Sequence, residues 1–523
     1  MHHLKTLQAF RVWRLQNRGR PLHFVPTMGA LHGGHGALIR RAAVPVPDQP
    51  PPVVVVSVFV NPLQFGPHED FDRYPRSIDR DLALAEAAGA DALLAPGLND
   101  IYPHGPDSVT RISPPPDLVR CLCGASRPGH FDGVATVVVR LLALVRPDRL
   151  LLGEKDWQQV VILRRMVRDL GLPVVIEAMA TVREPDGLAL SSRNRYLSSV
   201  QRRQAAALPR ALEQVRSGCL AEGADADADP ITAQVRRRLE VAGLDVDYVA
   251  LTQAHNLKPT QRVDGLVLLA AAVHCGPARL IDHAFLMSRS PIVAIDGPAG
   301  AGKSTVTRAF AERLGLVYLD TGAMYRALTW WLQRQGVDLG DAAAIEPLLP
   351  GLDVQLDAGV NGQQQVRVNG QDVTEAIRAP EVTAAVSQVA AHGCVRAALT
   401  AQQRRFGERG GLVAEGRDIG TAVFPQAELK VFLTATAAER ARRRAVDLQQ
   451  RGYAVPPLAE LERLILERDH SDSSREVAPL RQAEDAVELI TDGLTIDRVI
   501  QLLVDLFRER VPEEAWPAQQ GRS

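Results

Sequence analysis

Short apolar runs that end in glycine-rich or polar turns recur along the chain and predict the strands of parallel sheets. Residues 53–60 are rich in β-branched side chains and have no polar face, which is typical of a strand covered by helices on both sides. Residues 22–25 are also strand-like, residues 150–153 resemble another buried strand, and each run is followed by a turn and a helical pattern. The alternation of strands and helices predicts an α/β fold.

The pattern changes near residue 186, where helical periodicity becomes dominant. A further apolar strand at 292–296 runs straight into a glycine-rich loop, and the polar residues before it resemble a linker. The sequence therefore predicts four segments, which are a Rossmann-like domain over 1–185, a small helical or mixed lobe over 186–283, a linker over 284–291 and a second α/β domain over 292–523.

The glycine-rich loop matches the phosphate-binding pattern of glycine, four residues and then Gly-Lys-Ser. In such a loop, backbone N–H groups surround the phosphates, Lys303 reaches the outer phosphates, and the Ser304 hydroxyl can ligate Mg²⁺. The loop predicts nucleotide binding without predicting transfer, so a nucleotide-sensing domain stays an alternative. The expected ATP-binding residues are Gly297, Gly300, Ala301, Gly302, Lys303, Ser304 and Thr305.

Arginines beside short polar turns can hold a second phosphorylated substrate. They lie in Asp-Thr-Gly-Ala-Met-Tyr-Arg at 320–326, Glu-Gly-Arg-Asp-Ile-Gly-Thr at 415–421 and Glu-Arg-Asp at 467–469, which precedes Asp472 and Arg475. With these blocks in this order, region 291–510 resembles the cytidylate kinases. The resemblance implies a P-loop nucleoside monophosphate kinase fold and transfer of the γ-phosphoryl group of ATP to CMP or dCMP. A kinase for another monophosphate is the enzymatic alternative.

The resemblance also implies which residues bind CMP. Among them, Asp418 can accept from the exocyclic amine of cytosine and Arg396 can donate to the ring acceptors. The basic run 439–444 lies where such kinases have a mobile lid, although a solvated helix face is equally compatible with it, and the apolar residues in 461–466 are expected in the core. The implied CMP-binding residues are Thr321, Arg326, Ser387, Arg396, Arg417, Asp418, Arg468, Asp472 and Arg475.

Two histidines separated by two glycines follow the first predicted strand. His32 and His35 lie three residues apart on a first helical turn, so their rings face the same way and can donate to phosphate oxygens. Because the carboxyl ends of parallel strands meet at one edge of a sheet, Asn61 and Lys155 are expected in the same cleft as His32. The block Leu-Ser-Ser-Arg-Asn at 190–194 adds hydroxyls and a guanidinium for a leaving pyrophosphate.

Several blocks near the amino terminus carry a second resemblance. They are Pro-Thr-Met-Gly-Ala-Leu-His at 26–32, Phe-Val-Asn-Pro-Leu-Gln-Phe at 59–65, Ser-Arg-Pro-Gly-His-Phe at 126–131, Gly-Glu-Lys-Asp at 153–156 and Ser-Ser-Arg-Asn at 191–194. Residues 4–283 thus resemble the pantothenate synthetases, which are pantoate–β-alanine ligases of the nucleotidyltransferase superfamily. The resemblance implies that pantoate and ATP form pantoyl adenylate and pyrophosphate, and that β-alanine then displaces AMP.

The second resemblance implies roles for single residues. Phosphate stabilisation is expected from His35, His32, Lys155, Ser191, Ser192 and Arg193, with His35 as the main donor, and Lys303 has the corresponding role in the kinase. Pantoate is expected at Gln64, Gln159 and Asn61, and Mg²⁺ is expected with ATP at both sites. Leu190 stands where the family commonly has methionine, and the two side chains have similar volumes. The implied ATP-binding residues of the ligase are Thr27, Met28, Gly29, His32, His35, Gly153, Lys155, Asp156, Leu190, Ser191, Ser192 and Arg193.

Composition favours small-molecule partners. The 523 residues include 60 Lys plus Arg and 61 Asp plus Glu, a formal net charge of -1, which gives no overall field for a nucleic acid or an anionic membrane. No apolar run approaches the roughly 18 residues of a membrane helix, and residues 1–5 do not resemble a signal peptide. We therefore expect a cytoplasmic protein that acts on ATP, pantoate, β-alanine and CMP or dCMP. A homodimer through the ligase half is implied by the resemblance.

An aminoacyl-tRNA synthetase is the main alternative for the first half, because that class shares the His-x-Gly-His pattern. The balanced charge and the absence of a basic RNA-binding appendage in the sequence count against it. ATP–pyrophosphate exchange that depends on pantoate, and that no amino acid supports, would distinguish the two activities.

Lys303→Ala should abolish CMP phosphorylation and leave pantothenate formation unchanged, because each site is expected to bind its own ATP. The measurement is a parallel assay of CDP and pantothenate production by the full chain. Loss of both activities in the folded variant would favour a second domain that only senses nucleotide and regulates the first.

Overall fold

The structure is a computed structural model that describes residues 1–66, 69, 71–222, 227–358, 364–450, 452–475 and 477–517. It divides into two compact units, of which the first contains Met1–Ser288 together with Arg508–Pro517 and the second contains Arg289–Phe507. The predicted second domain ran from 292 to 523, so the structure differs from that prediction in assigning Arg508–Pro517 to the first unit.

The first unit contains a parallel sheet, which has six strands among the described residues, in the order β1-β4-β3-β2-β5-β6. The central strands end side by side, so the turns after them meet at one edge of the sheet, as the sequence predicted. The strands are β1 (His2–Leu4), β2 (Leu22–Thr27), β3 (Val53–Val58), β4 (Ala92–Leu94), β5 (Arg149–Gly153) and β6 (Val175–Met179).

Helices cover both faces of this sheet. In β3, Val53 and Val55 belong to one hydrophobic core, whereas Val54 and Val56 belong to another. Because successive strand residues point to opposite faces, this division explains why the predicted run has no polar face. The helices are α1 (Leu7–Gln16), α2 (Gly33–Ala42), α3 (Ile78–Ala87), α4 (Leu98–Ile101), α5 (Pro116–Val119), α6 (Leu122–Ser126), α7 (His130–Val145) and α8 (Trp157–Asp169).

The lobe predicted over 186–283 is mixed rather than purely helical. Its antiparallel sheet has the order β7-β8-β9 and packs with the lobe helices around a separate core. Val267 and Leu269 of β8 face that core, whereas Leu268 and Ala270 join the core of the larger domain. The alternating Ala and Asp residues at 224–230 predict a solvated loop, and this stretch lies partly outside the described residues. The elements are α9 (Ser199–Ala205), α10 (Ala207–Glu222), α11 (Ala228–Val241), β7 (Asp245–Gln253), β8 (Leu266–Cys275) and β9 (Ala278–Met287).

The second unit has its own parallel sheet, in the order β11-β15-β10-β16-β17, and a small antiparallel sheet, β12-β13-β14. The predicted strand at 292–296 is the central strand β10. The strands are β10 (Ile292–Asp296), β11 (Val317–Asp320), β12 (Val354–Ala358), β13 (Gln364–Val368), β14 (Gln371–Asp372), β15 (Leu412–Gly416), β16 (Leu429–Thr434) and β17 (Val487–Ile490).

Helices surround the sheets of the second unit. In α18 only Leu461 is buried among the three leucines of 461–466, whereas Leu464 and Leu466 are exposed. The prediction that this run is core was therefore wrong for two of its positions, because the helix buries one narrow side. The helices are α12 (Lys303–Leu314), α13 (Thr321–Gln335), α14 (Ala342–Ile345), α15 (Pro380–Val389), α16 (Gly393–Gly407), α17 (Ala437–Gln450), α18 (Leu458–Ser473) and α19 (Ile496–Arg510).

Within the described parts of the chain, no helix combines the length and the apolar character needed to span a membrane.

Candidate functional sites

The turn after β2 is held in place by a buried carboxylate. Asp81 of α3 accepts hydrogen bonds from the backbone N–H groups of Ala30 at 3.1 Å and Leu31 at 2.7 Å. Gly29 and Ala30 both have positive φ, at 83° and 51°, so the chain reverses sharply here. The turn therefore has a fixed shape before it enters α2, at the point where the two predicted histidines begin.

His32 and His35 form a reciprocal cap at the start of α2. His32 Nδ1 accepts from the N–H of Gly34 at 3.2 Å, and His35 Nδ1 accepts from the N–H of His32 at 3.3 Å. Since each Nδ1 is an acceptor, the ring proton lies on Nε2, which remains as a donor. The ring centroids are 4.1 Å apart.

Burial keeps this histidine pair neutral. Burial, with a smaller contribution from the Lys155 cation, lowers the pKa of His32 to about 4. Burial and the neighbouring His32 lower the pKa of His35 to about 3. At neutral pH the pair therefore offers two uncharged N–H donors, and the positive charge near them comes from Lys155.

The predicted ligase residues converge on one cavity of about 290 Å³. Gly29 is the exception among them, because it shapes the turn and lines a neighbouring pocket instead. A second cavity of about 630 Å³ shares Lys155, Asp156 and Gln159 with the first and extends towards the mixed lobe. The predicted residues that line the first cavity are Thr27, Met28, His32, His35, Asn61, Gln64, Gly153, Lys155, Asp156, Gln159, Leu190, Ser191, Ser192 and Arg193.

Asn61 is buried and supports Gln64. Its Nδ2 donates to Gln64 Oε1 at 3.1 Å and to the carbonyl oxygen of Gly133 at 3.1 Å. Its Oδ1 accepts from the Tyr102 hydroxyl at 2.8 Å and from the N–H of Leu63 at 3.2 Å. These contacts occupy the Asn61 amide and orient Gln64, whereas the direct binding of pantoate by Asn61 stays a prediction.

Sequence reasoning missed the residues that fix Gln64 and the first turn. His130 Nδ1 donates to the carbonyl oxygen of Gln64 at 2.8 Å, and Arg127 donates to the same oxygen at 3.3 Å. Both lie in the block at 126–131, which indicated a family resemblance but no role for either residue. Asp81 had a detectable signal, because it is a charged residue at helical spacing from the apolar Ile78 and Ala85.

The glycine-rich loop of the second unit follows β10 directly. Gly297 has a φ of 148°, and a Cβ atom at this position would lie 2.0 Å from the carbonyl oxygen of Leu433. Lys303 is buried and donates from Nζ to the carbonyl oxygens of Gly297 and Pro298, both at 2.8 Å. Burial, followed by the Arg417 cation, lowers the pKa of Lys303 to about 7.

Ser304 and Glu415 place oxygen atoms side by side at the start of α12. The Ser304 hydroxyl donates to Glu415 Oε1 at 2.5 Å, and the Tyr318 hydroxyl donates to the same atom at 2.9 Å. Hydroxyl and carboxylate oxygens are ligands that Mg²⁺ prefers. Among the described residues no group of three or more His, Cys, Asp or Glu side chains could hold a metal alone. The Ser304 hydroxyl and the Glu415 carboxylate thus fit part of the coordination shell of such a cation.

The nine predicted CMP-binding residues and the phosphate loop from Gly300 to Thr305 line one cavity of about 880 Å³. Arg396 and Asp418 form a buried ion pair, and the Arg396 guanidinium lies 5.5 Å from the centre of the Tyr325 ring. Asp472 accepts from Arg417 at 3.0 Å and from Arg475 at 2.5 Å.

Asp296 connects the phosphate loop to the loop that carries Asp418. Its carboxylate accepts from the N–H groups of Ile419 at 2.8 Å and Gly420 at 2.7 Å. Burial raises the pKa of Asp296 to about 6, although the two N–H groups oppose that rise. This residue was also missed by sequence reasoning, because its partners lie more than a hundred positions away.

The basic run at 439–444 contacts the phosphate loop in part. Arg440 is buried, pairs with Asp469 at 2.6 Å and donates to the carbonyl oxygen of Ala299 at 3.2 Å. Arg443 donates to the carbonyl oxygen of Ala301 at 3.1 Å, whereas Arg442 is largely exposed. The run is therefore not uniformly solvated, and its movement as a lid stays a prediction.

Comparisons with known proteins give one family match for each part of the chain. A family model described as pantoate-beta-alanine ligase matches residues 1–285, and one described as cytidylate kinase matches residues 293–509. The chain is 64% identical to a bifunctional pantoate ligase/cytidylate kinase of Parasynechococcus marenigrum (strain WH8102), over 96% of this chain and 97% of the relative. The chain belongs to the bifunctional pantoate ligase/cytidylate kinase family.

A second relative matches nearly the whole chain, whereas a solved structure matches about half of it. A bifunctional pantoate ligase/cytidylate kinase of Prochlorococcus marinus (strain MIT 9313) is 63% identical, over 97% of this chain and 99% of the relative. Among solved structures, the pantothenate synthetase of Thermus thermophilus is 44% identical. The match covers 54% of this chain and 98% of the Thermus chain, with a TM-score of 0.49.

Membership of the pantoate ligase/cytidylate kinase family confirms the two predicted activities. The ligase match falls in the first unit and the kinase match falls almost entirely in the second. The protein is a pantoate–β-alanine ligase and a cytidylate kinase, so the tRNA-charging and purely nucleotide-sensing alternatives are not supported.

Lowering the pH from 7.5 to 5 should destabilise the first unit through its half-buried histidine pair, His32 and His35. In the unfolded chain His35 takes up a proton near its ordinary pKa of 6.5, whereas in the folded unit it resists protonation down to about 3. The unfolded state therefore binds more protons, and stability is lost as the pH falls below 6.5, by up to about 2 kcal/mol for one histidine at pH 5.

This pH effect can be assigned by comparing urea unfolding of the wild type and His35→Gln. The variant lacks the titrating ring, so its stability should decrease less between pH 7.5 and 5 than that of the wild type. Identical decreases in the two proteins would show that His35 does not have a lowered pKa.

Proposed function

We propose that the ligase site catalyses two displacements in one cavity. A pantoate carboxylate oxygen attacks the α-phosphorus of ATP, and the bond to pyrophosphate breaks. The amine of β-alanine then attacks the acyl carbon of pantoyl adenylate, AMP leaves, and the amine proton is released to solvent. The neutral, mutually capped His32–His35 pair is the observation that supports the first displacement most strongly.

The histidine pair suits a developing phosphorane charge. Neutral Nε2–H donors stabilise negative charge without the cost of burying two further cations. His35 is the main donor in this proposal, and Lys155 with Arg193 neutralises the pyrophosphate that leaves. Ser191 and Ser192 line the same cavity and add hydroxyl donors.

Pantoate binding is assigned to the two glutamines that line the cavity. Gln64 is held from both ends, by Asn61 at its side chain and by His130 at its backbone, so its amide is pre-oriented. Gln159 lies on α8, one turn from Lys155, and lines both cavities of the first unit. Pantoate would thus lie between the two glutamines, with its carboxylate towards the histidines.

The kinase site is proposed to transfer the γ-phosphoryl group to CMP or dCMP. The transferred group needs little covalent assistance, so positioning and charge neutralisation by Lys303 and the arginines supply most of the rate. Arg417, Arg468 and Arg475 would hold the CMP phosphate, and Asp472 would hold the sugar. Asp418 and Arg396 read the base, because their ion pair places an acceptor beside a donor, as the cytosine edge requires.

Mg²⁺ is proposed as the cation of both sites. In the kinase, Ser304 would ligate it and Glu415 would hold the Ser304 hydroxyl or a coordinated water. Bound there, the cation would neutralise the outer phosphates. Association as a homodimer through the ligase half and a cytoplasmic location stay predictions.

His35→Ala should lower pantoate-dependent ATP–pyrophosphate exchange by roughly 10²- to 10³-fold, because one preorganised donor is removed. His104→Ala is the matched control, since His104 is exposed and does not line the ligase cavity. Urea unfolding of the first unit in both variants reports that this unit is folded. Exchange at the wild-type rate in His35→Ala would remove His35 from the mechanism.

Asp418→Asn should lower kcat/KM for CMP by roughly 10- to 100-fold and raise the UMP-to-CMP ratio, because an amide can donate to the uracil oxygen that replaces the cytosine amine. Asp485→Asn is the control, as this exposed carboxylate pairs with Lys430 away from the cavity. The measurement is initial rates with CMP, dCMP, UMP and AMP. An unchanged ratio would contradict base reading by Asp418.

A further inference from the structure

The C-terminal segment Arg508–Pro517 belongs to the first unit and packs within it. The kinase family match ends at residue 509, so nearly all of the segment lies beyond both family matches. Val511 is fully buried, and Arg508 donates to the carbonyl oxygen of Trp516 at 2.6 Å, which closes the segment into a compact turn. From α8, Arg164 donates to the carbonyl oxygens of Arg508 and Glu509, each at 3.2 Å.

The segment supplies hydrogen-bond donors to a buried carboxylate beside the ligase site. Glu154 is 1% exposed, and its two oxygens accept from the backbone N–H groups of Glu513 at 2.7 Å and Glu514 at 2.9 Å. Burial raises the pKa of Glu154 to about 8, and these two N–H groups oppose the rise. Glu154 begins the 3₁₀ turn Glu154–Asp156, which carries Lys155 into the cavity.

The side chains of the same two glutamates accept hydrogen bonds from a second stretch of backbone. The Glu513 carboxylate accepts from the N–H of Ala180 at 3.2 Å, and the Glu514 carboxylate accepts from the N–H of Thr181 at 2.8 Å. Ala180 and Thr181 follow β6 and line the cavity that contains His32 and His35. The other Glu514 oxygen lies 3.6 Å from Arg183.

These contacts join two neighbouring strand ends at the edge where the ligase site lies. The turn after β5 bears Lys155, and the chain after β6 forms a wall of the nucleotide cavity. An N–H group or a carboxylate buried without a partner is costly, so each of these four hydrogen bonds constrains the backbone that makes it. The segment therefore couples the position of Lys155 to the position of the wall.

We propose that Glu513 and Glu514 are positioning residues of the ligase, which hold the Lys155 turn and the Ala180–Thr181 wall in the geometry that binds ATP. The inference rests on the proposed ligase mechanism. It gives Glu513 and Glu514, which lie beyond the kinase family match, a role in the ligase reaction of the first unit. The two glutamates do not contact the reactants, and they act through the backbone that they hold.

The double variant Glu513→Gln with Glu514→Gln, made in the full chain, tests this role. The amides keep the shape of the side chains but are weaker acceptors for the Ala180 and Thr181 N–H groups. KM for ATP in pantoate-dependent ATP–pyrophosphate exchange should rise roughly five- to tenfold, as expected when two hydrogen bonds lose the part of their strength that comes from the charge of the acceptor. KM for ATP in CMP phosphorylation should not change.

Glu509→Gln is the matched control, because this exposed glutamate lies in the same segment and the hydrogen bond that it accepts from Arg164 is made by its carbonyl oxygen, which the substitution keeps. A second pair of variants ends the chain after Arg510 or after Pro517. The shorter chain loses the donors to Glu154 as well, so its ligase should lose both affinity for ATP and turnover. The longer chain should retain the wild-type values.

The outcomes separate the inference from the mechanism on which it rests. If the wild type shows no pantoate-dependent exchange, the proposed ligase mechanism fails. If the wild type exchanges normally and the double variant has an unchanged KM for ATP, the positioning role is overturned. A smaller burst of pantoyl adenylate at unchanged KM would show that the glutamates affect only the fraction of folded sites, which also overturns it. If the chain that ends after Pro517 loses as much affinity for ATP and turnover as the chain that ends after Arg510, the positioning role is also overturned.

Discussion

Buried carboxylates that each accept two backbone N–H groups hold the loops from which both active sites are built. Asp81 holds the turn after β2, Asp296 holds the loop after β15, and Glu154 holds the C-terminal segment. Where a parallel strand ends, the chain must turn and its N–H groups lose their partners in the sheet. Some of these groups must stay open for phosphates, so a side chain from elsewhere must satisfy the others.

The two sites then use burial in different ways. In the ligase, burial removes the charge from His32 and His35, so these rings act as neutral donors beside the Lys155 cation. In the kinase, burial and the Arg417 cation lower the pKa of Lys303 towards neutrality, which the phosphates of a bound nucleotide would reverse. Both candidate sites are lined by cationic side chains, although the net charge of the chain is only -1.

Local patterns in the sequence were sufficient for the elements that carry these sites. The β-branched run became β3 with its two buried faces. All the predicted ligase residues except Gly29, and all the predicted kinase residues except Gly297, line one cavity in their unit, because parallel strands end at one edge. Contacts between distant residues were not predictable, since Glu154 meets its partners 359 and 360 positions along the chain. The apolar pattern also predicted too many buried residues in α18, because it does not show how much of the helix surface is covered by neighbouring elements.

The central claim is that one chain contains two independent ATP sites, one cleaving at the α-phosphorus and the other at the γ-phosphorus. Phosphorus NMR of a single reaction, with the full chain, Mg²⁺ and ATP, follows both product pairs together. With pantoate, β-alanine and CMP all saturating, AMP with pyrophosphate and ADP with CDP should form at the rates measured when each substrate set is supplied alone. If either substrate set suppresses the other reaction while ATP is saturating, or if only one product pair forms, the account of two independent sites is contradicted.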